Sequence, residues 1–174
     1  MVTISGGNSV GVFSVNTGVT FTVQNLTIAN GNSAAPDGGA ITNRGTLTVT
    51  NGTFSDNRGN FGGGVLNLRG TVTVTNSTFS GNSAYHVGET YGGGGGAGIA
   101  NVSGTVTVAS SAFSGNSAGD GVGGGMLNLY GTATVTNCTF SGNSGEDITN
   151  FSNESTLTVI EVAPNSWTGG IVKI

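Results

Sequence analysis

The chain has 174 residues, and Gly (34), Thr (25), Asn (20) and Ser (18) supply 97 of them, while 7% are charged and the net charge is −4. No run of about eighteen apolar residues is present to span a membrane as a helix, no three-residue glycine period marks collagen, and β-branched Thr and Val at low net charge argue for β structure and against disorder. The basic residues Arg44, Arg58, Arg69 and Lys173 do not cluster, so nucleic acid is not expected as a partner. Cys138 is the single cysteine, can form no internal disulfide, and reads as a small core residue. No basic-then-apolar leader opens the sequence, so an exported chain of this kind is expected to have lost its leader or to be a piece of a longer protein.

Along the chain, Val2 to Ser5 (VTIS) and Gly11 to Ser14 (GVFS) open a pattern that then repeats. Five segments align: FTVQNLTIAN from Phe21, LTVTNGTFSDN from Leu47, VTVTNSTFSGN from Val72, VTVASSAFSGN from Val106 and ATVTNCTFSGN from Ala133, with a degenerate sixth, LTVIEV, from Leu157. A second block alternates with them, ending at Asn43 (GGAITN), Asn67 (GGGVLN), Asn101 (GAGIAN), Asn128 (GGGMLN) and Asn150 (EDITN). The period is 24 to 34 residues. Apolar and polar residues alternate within each block, the signature of a strand with one buried face, and the 3.6-residue period of a helix is nowhere present.

A unit of this size cannot close its own core, whereas stacked copies bury a continuous apolar column and pair every strand with its neighbour. The pattern therefore predicts an all-β fold: one domain spanning residues 1–174, a right-handed parallel β-helix of about six rungs with three short strands per rung, in which 155–174 form a candidate C-terminal rung and cap. The inward columns are expected to be Val12, Ile41, Val65, Ile99, Met126 and Ile148 on the first face. On the second they are Phe21 and Val23, Leu47 and Val49, Val72 and Val74, Val106 and Val108, and Ala133 and Val135. On the third they are Ile28, Phe54, Phe79, Phe113 and Phe140. Asn25, Asn51, Asn76 and Asn137, with Ser110 in the fourth copy, follow the second strand at a fixed offset and are expected to form an asparagine ladder at a tight bend.

The blocks Gly38-Gly39-Ala40-Ile41 and Phe54-Ser55-Asp56-Asn57, followed by Phe79 to Asn82, Phe113 to Asn116 and Phe140 to Asn143, resemble the GGA[ILV] and FxxN repeats of polymorphic outer-membrane proteins. The resemblance covers nearly the whole chain and implies a bacterial surface protein with a right-handed β-helical passenger, often adhesive. Gly64, Gly98 and Gly125 stand where the motif has alanine, and no amphipathic barrel segments follow Ile174, so export through a barrel of its own is not expected.

Chemistry-bearing residues are sparse. Asp37, Asp56, Glu89, Asp120, Glu146, Asp147, Glu154 and Glu161 form no column when projected on the repeat, and His86 is the only histidine. No catalytic group, metal site or cofactor is expected, and the chain is not expected to be an enzyme. The insertion after Asn82 gathers Tyr85, His86, Glu89 and Tyr91, a candidate binding loop on a rigid scaffold and the place where a carbohydrate-binding or carbohydrate-active β-helix would hold its ligand. Two outward columns are complete: Thr20, Thr46, Thr71, Thr105, Thr132 and Thr156, and beside it Thr22, Thr48, Thr73, Thr107, Thr134 and Thr158. At about 4.8 Å between rungs and about 6.7 Å along a strand they would form a grid able to order water, as on an ice-binding face. The third column is broken by Gln24, Ala109 and Ile160.

The leading expectation is a non-enzymatic structural or adhesive module, extracellular or on a bacterial cell surface. Its partners would be a host-cell or cell-surface ligand, or a second copy joined through the solenoid ends.

Overall fold

The computed structural model describes residues 1–33, 37–85, 95–119 and 122–160 and the backbone of 172–173. All regular structure among them is β, and every strand pairing is parallel. Among the described residues no helix is long and apolar enough to cross a membrane.

The chain winds as a β-solenoid of about six turns, with three long sheets running along its axis. The first sheet stacks Phe13–Val15, Ile41–Asn43, Val65–Leu68, Ile99–Val102, Met126–Leu129 and Ile148–Asn150. The second stacks Thr20–Gln24, Thr46–Thr50, Thr71–Thr75, Thr105–Ala109, Thr132–Thr136 and Thr156–Ile160, with Val172–Lys173 paired beyond the last. The third stacks Val2–Ser5, Leu26–Ala29, Thr53–Ser55, Thr78–Ser80, Ala112–Ser114 and Thr139–Ser141. A fourth, three-stranded sheet, Arg58–Gly59, Ser83–Ala84 and Ser117–Ala118, was not anticipated by the repeat pattern.

The core is the set of inward columns. Leu47, Val49, Val72, Val74, Val106, Val108, Ala133 and Val135 are fully buried on the second sheet. On the third sheet Phe54, Phe79, Phe113 and Phe140 stack with ring centroids 4.7 to 4.8 Å apart, the rung spacing itself, and with planes within 6° of parallel. Phe79 and Phe113 thus have a ring on both faces and Phe54 and Phe140 on one, which adds about 1 kcal/mol per pair to the burial of their area. The glycines that stand in place of the motif's alanine lie against these rings. A Cβ on Gly64, Gly98 or Gly125 would lie 2.9, 2.8 or 2.7 Å from Cδ1 of Phe79, Phe113 or Phe140.

Three details differ from the repeat-based reading. The first column begins at Phe13, not Val12: Phe13 is in register with Ile41. The carbonyl of Ala40 accepts from the N–H of both Val12 and Phe13, so one extra residue is taken up just before the strand.

Alternation also fails to expose the outer face of the first sheet. Thr42, Leu66, Ala100, Leu127 and Thr149 point away from the core yet are at most 6% exposed. The glycine-rich stretch ahead of each strand folds back over them, so a Cβ on Gly38 would sit 2.8 Å from Cβ of Leu66, and one on Gly95 would sit 2.8 Å from Cδ2 of Leu127.

The asparagine ladder, finally, is not where it was expected. Asn25, Asn51, Asn76, Ser110 and Asn137 do take left-handed backbone angles (φ 50 to 53°). They are solvent-facing bend residues, however, joined only by Asn51 to Asn25 at 3.1 Å and Asn137 to Ser110 at 3.5 Å. The continuous ladders are buried at the other two corners.

Candidate functional site

The first ladder lies between the first and second sheets. The Nδ2 groups of Asn43, Asn67, Asn101 and Asn128 each donate to the Oδ1 of the next asparagine, ending at Asn150, at 2.8 Å throughout. The same amides reach the carbonyls of Thr71, Thr105, Thr132 and Thr156 at 3.0 to 3.3 Å, the first residue of the second-sheet strand one rung on. The ladder therefore ties the start of each threonine strand to the rung before it, and a one-residue slip would leave buried amides unpaired.

The second ladder runs from Asn57 through Asn82 and Asn116 to Asn143, at 2.9 Å per step. Its amides also donate to the carbonyls of Ile28, Phe54, Phe79 and Phe113, which fixes the phenylalanine column. At the remaining corner Ser77 and Ser111 accept from the backbone N–H of Gly52 and Ser77. Cys138 occupies the next step of that corner, and burial pushes its thiol pKa up from the ordinary 9.0.

With all three corners clamped, the outer face of the second sheet is a regular array. Thr20, Thr46, Thr71, Thr105, Thr132 and Thr156 are in register and exposed. Thr22, Thr48, Thr73, Thr107, Thr134 and Thr158 form the parallel column two residues on, exposed or half-buried. Gln24, Ala109 and Ile160 fall in register with Thr50, Thr75 and Thr136 and interrupt the third column. The two complete columns carry only hydroxyls and methyls, with no ionisable group.

Of the insertion residues, Tyr85 is described, while His86, Glu89 and Tyr91 lie outside the described residues. Tyr85 donates its hydroxyl to the carbonyl of Ser33 at 3.3 Å, and the Arg58 guanidinium sits 4.2 Å above its ring centroid. Both ends of the side chain thus hold neighbouring rungs together. Among the described residues no group of three or more His, Cys, Asp or Glu side chains is placed to hold a metal, and the ion pair between Arg44 and Asp37 (3.2 Å) is partly solvated.

At the corner between the first and second sheets, Arg69, Ser103 and Tyr130 occupy equivalent positions in successive rungs, all with left-handed backbone (φ 60, 55 and 54°). The sign of φ cannot be read from a side chain that does not favour it.

Compared with protein-family models, curated proteins and solved structures, the chain gives no significant match.

Proposed function

We propose that the chain is a non-enzymatic, extracellular β-helical module of a bacterial surface protein, of the polymorphic outer-membrane repeat type. It acts as a stiff spacer or adhesive element that contacts a host-cell or cell-surface ligand and needs no cofactor. The observation that carries this reading is the clamping of all three corners: two buried asparagine ladders and a serine column satisfy each rung through the next. Stability is then spread along the axis, and the outer faces are free to make contacts without bearing the fold. Anchored on non-adherent bacteria, the chain is expected to raise attachment to host cells or to neighbouring bacteria and to resist proteolysis. Depolymerisation of a glycan, abolished by a single change such as Glu146→Gln, would overturn the reading.

A second reading is favoured by the in-register threonine grid: the second sheet orders water and binds ice. Hydroxyls at a fixed repeat on a face held rigid by the first ladder pay little entropy to hold a water lattice. Thermal hysteresis in the native chain and its loss in Thr73→Lys are the expected results. An unaltered freezing point, or full activity in Thr73→Lys, dismisses the grid as the site.

A further inference from the structure

The corner carrying Arg69, Ser103 and Tyr130 is built against the local preference of the backbone. Left-handed φ is disfavoured for any residue with a long side chain, and Asn, Asp and Gly adopt it at least cost. The rest of the molecule respects this. Among the described residues its other left-handed positions are Asn8, Asn25, Asn30, Asn51, Asp56, Asn76, Ser110, Asn137 and glycines. Arg69 (φ 60°) and Tyr130 (φ 54°) alone place a long side chain there, and both stand on the same corner and point to solvent. An outlier kept at an exposed position, where packing does not require that side chain, marks a place where the side chain itself is used.

The surroundings give it a chemistry. Arg44, Leu68, Arg69, Val102 and Ser103 line a shallow groove of about 290 Å³. Two of the chain's three arginines therefore meet there, although the protein as a whole carries a charge of −4. Arg44 shares its charge with Asp37, while the Arg69 guanidinium has no partner among the described residues. Leu68 and Val102 supply an apolar floor, Ser103 a hydroxyl, and Tyr130, two rungs from Arg69, an aromatic ring that is 45% exposed.

We infer that this corner binds a linear acidic glycan lying along the solenoid axis. The Arg69 fork takes a carboxylate on one sugar, and the Tyr130 ring covers the C–H face of another about 10 Å away, two rungs on. Two cations against an apolar floor suit a polymer with widely spaced charges. They are too few to follow the dense phosphates of a nucleic acid. The inference rests on the reading of the chain as a contact module, and names its ligand class.

The test is calorimetric titration of the whole chain with a hyaluronan decasaccharide, which carries a carboxylate on alternate sugars, and with a neutral N-acetylglucosamine hexamer. Saturable binding of the acidic oligomer, at least tenfold tighter than the neutral one, is expected. Arg69→Asn should weaken it at least tenfold while the melting temperature holds or rises, because asparagine suits the left-handed bend. Arg58→Gln removes the same charge away from the groove and should bind as the native chain does. Absence of saturable binding, native affinity in Arg69→Asn, equal loss in Arg58→Gln, or a fall in melting temperature for Arg69→Asn would each overturn the assignment. Cleavage of the decasaccharide by the native chain would instead overturn the non-enzymatic reading and leave the groove in place.

Discussion

The side-chain amide of Asn67 donates to the Oδ1 of Asn101 at 2.8 Å, and both side chains are fully buried. Asn101 passes the same bond to Asn128 and also donates to the carbonyls of Gly104 and Thr132. Truncation to alanine takes the donor from the buried Oδ1 of Asn128 and the acceptor from the buried amide of Asn67, so Asn101→Ala is expected to cost about 3 kcal/mol in urea denaturation. Asn51→Gly, at the exposed bend where glycine also takes a left-handed φ, should change stability by less than about 1 kcal/mol. Equal losses would mean that the buried ladder is no more than a bend preference.

That contrast also shows what could be read from the sequence. The leucine, valine and phenylalanine columns were legible because burial imposes period two at fixed offsets, and one residue of slip would turn each column outward. The threonine grid followed for the same reason, as the opposite face of the same strands. The ladder was misplaced because an asparagine chosen for its backbone angle and one chosen for its buried amide look alike in a sequence. The difference is in tolerance. The bend column admits Ser110, whereas Asn43, Asn67, Asn101, Asn128 and Asn150 are all asparagine: a serine hydroxyl is shorter and has a single proton, so it cannot donate at once to the next side chain and to a strand carbonyl as each ladder amide does. The covered outer face at Leu66 and Leu127, and the left-handed corner at Arg69 and Tyr130, depend on where loops fold back and on the sign of φ. Neither shows in the alternation of apolar and polar residues.

Gly98 tests the fit between the glycine column and the aromatic stack. Its added Cβ would lie 2.5 Å from the carbonyl oxygen of Gly125 and 2.8 Å from the Phe113 ring, with no flexible neighbour to yield. Gly98→Ala is therefore expected to destabilise by about 1 to 3 kcal/mol, read as a lower melting temperature by circular dichroism. Gly115 has a φ of 62° and open space around its Cβ position, so Gly115→Asn should leave the transition near its native place. A melting temperature unaffected by Gly98→Ala would show that the ring and the rung can separate freely.

Position within the stack should also matter. Phe79 has ring neighbours on both faces, Phe54 at 4.7 Å and Phe113 at 4.8 Å, whereas among the described residues Phe140 has one, Phe113. Phe79→Ala opens a cavity and breaks two ring pairs, for an expected loss of about 4 kcal/mol. Phe140→Ala breaks one and should cost about 1 kcal/mol less. The order of the two, measured side by side by denaturant titration, checks whether ring-to-ring contact contributes beyond buried area.

Cys138 takes a serine's place in the corner column, with its Sγ 3.3 Å from the carbonyl of Thr136 where Ser111 and Ser77 make the equivalent contact at 2.8 Å. Cys138→Ser is accordingly expected to hold stability at pH 7 within about 1 kcal/mol. Alkaline conditions separate the two chains. Burial favours the neutral thiol and raises its pKa above 9.0, so the native state holds its proton more tightly than the unfolded state does. The resulting stabilisation is whole below the unfolded thiol's pKa and is lost as the pH climbs from there through the folded value. Denaturation midpoints of the native chain should therefore fall more steeply above about pH 9 than those of Cys138→Ser, and the thiol should react with an aromatic disulfide reagent only after unfolding. Parallel alkaline profiles, or rapid labelling of the folded chain, would place Cys138 in contact with solvent and the corner column in a looser state than the one described.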